Sequence, residues 1–248
     1  MGLLLKMLKI TDKTQMENLG FIFRKNRFCR LHGRSFQTLE FQASHICYDR
    51  FQLLIGISFL SKPLRHHEGG YTFYELTGKN YQLSRNNADE LYFDRDSQEN
   101  TNTMFANVFD QIEKRIVPLL NQITDESSFL VMGERNAGDG HSFFYTFTND
   151  YFLYAICNRF DKAIEILSGM VERSIDTTEQ NYQYFIEQGM FERAEEILQN
   201  QRYYMLESQI IMEALKKRDI TFFKEGAEIY LNDNIDFLWK NYKLKVIE

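Results

Sequence analysis

Proline is nearly missing from this chain, with two residues in 248, Pro63 and Pro118. An average composition of about 5% would supply roughly a dozen. Long regular elements are therefore interrupted rarely. Cysteine is scarce too. Cys29, Cys47 and Cys157 are odd in number and widely spaced, with no CxxC pair, which suggests neither a disulfide framework nor a cysteine zinc site and fits a reducing cytoplasm. Long apolar runs are also missing. The most apolar stretch, Phe51 to Leu60, is about half of what a bilayer crossing needs, so no membrane association is expected. The opening MGLLLKMLKI carries no small-residue cleavage site, and Lys6 stands where a myristoylation signal wants Ser or Thr, so neither export nor a lipid anchor is expected. Motifs for chemistry are missing as well: GxSxG, GxxxxGK, GxGxxG and HExxH do not occur. Their absence leans away from an enzyme and gives no reason to expect a cofactor or a metal.

What is present describes a packed protein. Hydrophobic residues make up 44%, aromatics 15% and charged residues 26%, a composition that excludes a disordered chain. The net charge of −6, with a pI near 5.5, argues against nucleic acid as the main partner, because its phosphates favour a basic surface.

The hydrophobic period changes near residue 148. Before it, Phe51, Leu53, Ile55, Ile57 and Phe59 alternate as one buried strand face, with Gln52 and Ser58 opposite. Phe21 to Arg30 and Phe36 to Gln42 read as strands separated by His32-Gly33-Arg34. Tyr71 to Leu76, Leu91 to Phe93 and Phe129 to Met132 are further short candidates. From Met104 to Ile123 the spacing of Phe105, Val108, Phe109, Ile112, Ile116, Leu119, Leu120 and Ile123 predicts a helix that Pro118 kinks or restarts. A looser helix covers Lys6 to Leu19, with Thr14 and Glu17 in a capping-box pattern.

After residue 148 everything reads as helix, and a motif recurs. Asn158 to Leu167 aligns with Gly189 to Leu198 at an offset of 31, sharing Phe, Ala, Ile and Leu; a fainter third copy runs from Phe223 to Leu231 with Ala227. This pattern resembles the turn and second helix of tetratricopeptide-type repeats, which implies paired helices with the Phe, Ala and Leu packed inward. The expected fold is α+β: a small antiparallel sheet packed with helices over 1–147, followed by an all-α, repeat-like helical-hairpin domain over 148–248.

In the first half, Leu19, Gly20, Phe21, Phe28, Arg30, Gln37, Phe41, Gln42, Ile55, Gly56 and Ile57, with a helix closing on Ile116-Val117-Pro118-Leu119-Leu120, form an LGF…FxR…QxxxFQ…IGI pattern. It resembles an uncharacterised bacterial family of domains of unknown function over about Met1 to Asp125. The resemblance implies helices on a curved antiparallel sheet and implies no chemistry.

Several clusters remain as site candidates. Arg24, Lys25, Arg27, Arg30 and Arg34 place five positive charges in eleven residues, interleaved with Phe21, Phe23, Phe28 and Phe36. Such a strand pair is either an anion- or phosphate-binding surface or an edge guarded by charge. With Phe28 inward, Arg30 points inward too and needs a carboxylate or a ligand. His66 and His67 are the most metal-like residues, yet neighbouring side chains diverge, and only His141 beside Asp139 could add a ligand. Cys29 with His32 and Cys47 with His45 are possible dyads, set against the commoner buried cysteine. The expected function is non-enzymatic binding of a protein partner in the cytoplasm, in the manner of an immunity protein. The alternative is a phosphate- or nucleotide-binding protein or enzyme built on the arginine-rich strands and the histidines.

Overall fold

The structure, a computed structural model, describes residues 3–43, 50–61, 71–75, 91–92, 98–136 and 150–245. The chain forms two compact units: Met1–Phe147 together with Ala227–Glu248, and Thr148–Gly226. The first contains α1 (Leu3–Ile10), α2 (Thr14–Asn18), β1 (Ile22–Arg24), β2 (Arg27–His32), β3 (Ser35–Ala43), β4 (Arg50–Phe59), β5 (Tyr71–Glu75), β6 (Leu91–Tyr92), α3 (Gln98–Gln111), α4 (Val117–Leu120) and α5 (Glu126–Asn136). Then follow α6 (Tyr151–Ile156), α7 (Phe160–Glu187), α8 (Phe191–Lys216) and α9 (Ile220–Tyr242). An antiparallel sheet followed by helices is an α+β fold.

The strands run in the order β1-β2-β3-β4-β5, all antiparallel, with β6 on β4. One face follows from alternation. Phe28 on β2, Leu39 and Phe41 on β3, and Leu53, Ile55, Ile57 and Phe59 on β4 are all buried. On this face Phe28 meets Phe109 edge-on at 5.4 Å, Phe41 meets Phe105 at 5.8 Å, and Phe59 meets Phe129 at 5.4 Å. Each fully buried phenylalanine contributes about 2–3 kcal/mol of apolar transfer energy. The opposite face is covered as well: Cys29, Phe36 and Leu60 pack with Leu238 and Tyr242 from the C-terminal part of α9. The sequence places Ser58 on the face opposite Phe51, Leu53, Ile55, Ile57 and Phe59 and assigns 148–248 to one helical domain. Residues 227–248 instead belong with the sheet, and Ser58 is buried.

Other elements depart from expectation for identifiable reasons. Phe21 to Arg30 is two strands rather than one, turned at Lys25 (φ 49°) and Asn26 (φ 65°). Two consecutive positive φ values make the tight hairpin whose twist suits antiparallel strands, and asparagine tolerates that region. Phe129–Met132 is helix, not strand. Asp125 Oδ1 accepts the Ser128 N–H at 2.7 Å while Ser128 Oγ accepts the Asp125 N–H at 3.1 Å, a reciprocal cap that starts α5. The long helix predicted to Ile123 widens into a π-helical turn at Ile112–Ile116 directly before Pro118. Pro118 cannot donate to the carbonyl four residues back, and a widened turn accommodates that loss. The predicted Lys6 to Leu19 helix is two helices, broken before Thr14, whose N–H and hydroxyl both donate to Asp12 Oδ1.

In the second unit, α7 and α8 form an antiparallel hairpin: Ser174 and Thr178 on α7 both donate to Gln201 Oε1 on α8, at 2.8 and 2.9 Å. The motif found in the sequence marks helix starts. Asn158 (φ 60°) and Gly189 (φ 71°) are the left-handed residues of matching turns, in which Arg159 donates to Tyr154 and Met190 donates to Phe185. A third such turn lies at Arg218 (φ 53°), with Asp219 donating to Ala214, so the faint third copy begins earlier than Phe223. What recurs is a turn plus one long helix, not a pair of short ones. Ala163 and Ala194 are both fully buried after their turns, and Phe223 holds the corresponding place after Arg218. Phe160 packs inward, but its counterpart Phe191 is 64% exposed, contrary to the inward position its motif implied.

Candidate functional site

The arginine-rich segment is distributed rather than gathered. Arg24 ends β1 and is exposed; Lys25 sits in the β1–β2 turn with its ammonium 5.3 Å from the Tyr242 ring and 5.7 Å from Phe237. Arg27 pairs with Glu40 on the neighbouring strand at 3.2 Å. Arg34 lies in the β2–β3 turn at the other end of the hairpin with its side chain exposed, and its N–H donates to Thr124 O at 2.6 Å. Gly33 makes that approach possible: it holds φ +58°, and a Cβ there would lie 2.5 Å from the Thr124 oxygen. His66, His67 and His141, like Cys47 and His45, lie outside the described residues.

Arg30 does turn inward with Phe28 and is 6% exposed. Its partners, however, are neutral, contrary to the carboxylate or ligand the sequence reading required. Nε donates to Gln37 Oε1 at 2.9 Å, Nη1 to Leu19 O at 2.9 Å and Nη2 to Asn121 Oδ1 at 2.7 Å, while the guanidinium stacks 4.5 Å from the Phe21 ring centre. Leu19 caps the C-terminus of α2, where its outward-pointing carbonyl is without an intrahelical donor, while Gln37 and Asn121 offer side-chain amide oxygens. One helix-end carbonyl, two amide oxygens and a ring face thus stand in for a carboxylate. Burial still disfavours the cation and lowers its pKa to about 10.

The network continues through neutral groups. Gln37 Nε2 donates to Leu120 O at 2.8 Å, Ile123 O at 3.1 Å and Ser35 Oγ at 3.0 Å, and Ser35 Oγ donates to Ile123 O at 2.7 Å. His32 Nε2 lies 3.1 Å from Asn121 O. These side chains add donors to the carbonyls that follow α4: Leu120 O also accepts from the Ile123 N–H at 3.1 Å, and Ile123 O accepts from Ser35 and Gln37. Arg30 is therefore a structural clamp. Leu19, Phe21, Arg30 and Gln37, which carried part of the first-half pattern, converge here.

Cys29 faces away from His32, since the two have opposite parity on β2. Its Sγ–H points to Ile22 O at 3.6 Å, and burial raises the thiol pKa to about 12. It is not a nucleophile at neutral pH, and the proposed dyad does not form. Among the described residues, no cluster of three or more His, Cys, Asp or Glu is placed to hold a metal ion, and no helix is long and apolar enough to cross a membrane.

The feature that stands apart from the clamp lies on α8. Ala194, Ser208 and Leu215 are buried, and Gln201 bonds to α7. On the outward side, Tyr203, Leu206 and Ile210 are 72%, 59% and 55% exposed. Spacings of three and four place them in one row along the helix. Sequence reading missed this row because the same letters serve equally well as a buried face. Its only signal is that α8 carries apolar residues on more of its circumference than one partner helix can cover. Comparison with known protein families, curated proteins and solved structures found no match.

Proposed function

We propose that this chain is a non-enzymatic protein-binding module that acts through the helical hairpin α7–α8. The observation carrying the reading is the outward row Tyr203, Leu206 and Ile210, three large apolar side chains side by side in solvent. Single exposed apolar residues are ordinary, but an aligned row presents a continuous strip, and burying it against another protein is the favourable outcome. An amphipathic helix offering residues at this spacing is a common mode of protein recognition. The reading is also supported by the first unit, where Arg30 and Arg27 are engaged within the fold and Cys29 is fully buried.

The test is site-specific photocrosslinking in living cells. A photoreactive residue at Leu206 is expected to give discrete protein adducts, while one at the exposed Asp176 on α7 gives none. Equal labelling from both sites, or none from either, overturns the reading.

A further inference from the structure

The charges along α8 indicate what covers this row. Its first turns carry Glu192, Glu195 and Glu196, all exposed, and its last carry Lys216, followed by Lys217 in the turn, both exposed. Arg193, the one cation in the acidic stretch, is directed to the Phe185 ring at 5.5 Å. Arg218 is held by Asp161 at 2.9 and 3.1 Å, whereas Lys217 makes a loose contact with Glu213 at 3.7 Å, both side chains largely in solvent. Leu206 lies ten to fourteen residues from the glutamates and ten to eleven from the lysines. At about 1.5 Å per residue these charges stand roughly 15–20 Å to either side of the apolar row.

A second α8 laid antiparallel across Leu206 would bring each acidic end over a basic end and Tyr203 toward the other copy's Ile210. A parallel arrangement would instead stack glutamate on glutamate and lysine on lysine. We propose that the row is covered by a second copy of this chain, with the two α8 helices antiparallel about a two-fold axis near Leu206. Such an interface is isologous and closes on itself. The inference rests on the reading of this row as a protein-binding face and names its occupant.

Sedimentation of the purified full chain over about 1–300 µM tests it, at low and at high salt. The expected result is a monomer–dimer equilibrium. Leu206→Asp should weaken it at least about tenfold, since a carboxylate in the apolar centre loses hydration without a partner. Glu192→Lys with Glu195→Lys should weaken it several-fold at low salt, and adding Lys216→Glu with Lys217→Glu should restore it. A parallel pair predicts no restoration, because the reversed charges still meet their like. Circular dichroism of each variant checks that the helices persist. One-chain mass at every concentration overturns the inference, as does association that is unaffected by Leu206→Asp or lacks charge-reversal rescue. If the protein is monomeric yet Leu206 crosslinks in cells to a different protein, this inference falls and the binding reading stands. If neither association nor adduct occurs, both fall.

Discussion

Replacing Arg30 by methionine keeps the apolar stem against Phe21 and removes only the guanidinium. Three acceptors then lose their donor: Gln37 Oε1, Leu19 O and Asn121 Oδ1. An acceptor stranded in the interior costs about 1–3 kcal/mol. The Gln37 bond is buried while the other two are partly buried, so the sum is taken low, at about 4–6 kcal/mol. Against this stands relief from desolvating a cation. Burial lowers the Arg30 pKa from 12.5 to about 10, a difference of about 2.5, which corresponds to roughly 3 kcal/mol. The net loss for Arg30→Met is therefore about 1–3 kcal/mol, and Arg30→Ala adds a cavity worth about 1–2 kcal/mol more. Urea unfolding at neutral pH, with unchanged denaturant slope, measures both. Arg34→Ala, whose side chain is in solvent, serves as the control and should stay within about 0.5 kcal/mol. A double-mutant cycle between Arg30→Met and Asn121→Ala should return a favourable coupling of about 1 kcal/mol or more. Parental stability in Arg30→Met, or a coupling of zero, would refute the clamp.

Ala163→Leu and Ala194→Leu should each cost about 1–3 kcal/mol by overpacking, because both alanines are fully buried just after their helix turns; thermal unfolding that leaves either variant at the parental midpoint removes that site from the pattern. Cys29 should resist alkylation at pH 8 until the protein unfolds, as peptide mass mapping would show. Its folded pKa of about 12 lies above the ordinary thiol value of 9.0, so the folded form retains a proton the unfolded chain releases. Its stabilising contribution is intact below pH 9 and is lost as pH rises toward 12. Cys29→Ala should accordingly flatten the alkaline end of the stability profile, and an unchanged profile would show that the thiol is not desolvated.

Alternation made the β4 face legible in the sequence because Phe51, Leu53, Ile55, Ile57 and Phe59 fall at every second position, and the sheet keeps that period. The inward turn of Arg30 followed from the same parity. Its partners did not, since two amide oxygens and a backbone carbonyl leave no charged letter to find. The hairpin at Lys25-Asn26 lacked the glycine that usually announces it, so a run of polar residues between Phe23 and Phe28 read as one strand. Phe129–Met132 is too short for periodicity to separate helix from strand, and the cap at Asp125 and Ser128 decided it. The motif at Asn158 and Gly189 located two helix starts correctly. It could not report helix length, which depends on how far apolar residues continue along α7 and α8. Exposure of the α8 row was beyond pattern alone, because periodicity marks a face without saying whether anything covers it.

The coverage of the sheet by the end of α9 sets an order of events during synthesis. Asn234 Nδ2 donates to Leu60 O across 174 positions of sequence, and Tyr242 packs its ring 5.1 Å from Phe36. The sheet strands around Cys29, Phe36 and Leu60 emerge from the ribosome long before these partners exist. Between them the chain must produce Thr148–Gly226, whose own helices are joined by short turns and are local in sequence. Local contacts form early and distant ones form late. The helical unit, later in the chain, can therefore be complete while the older sheet still shows one apolar face to solvent. During that interval the nascent protein depends on whatever shields exposed strands from one another.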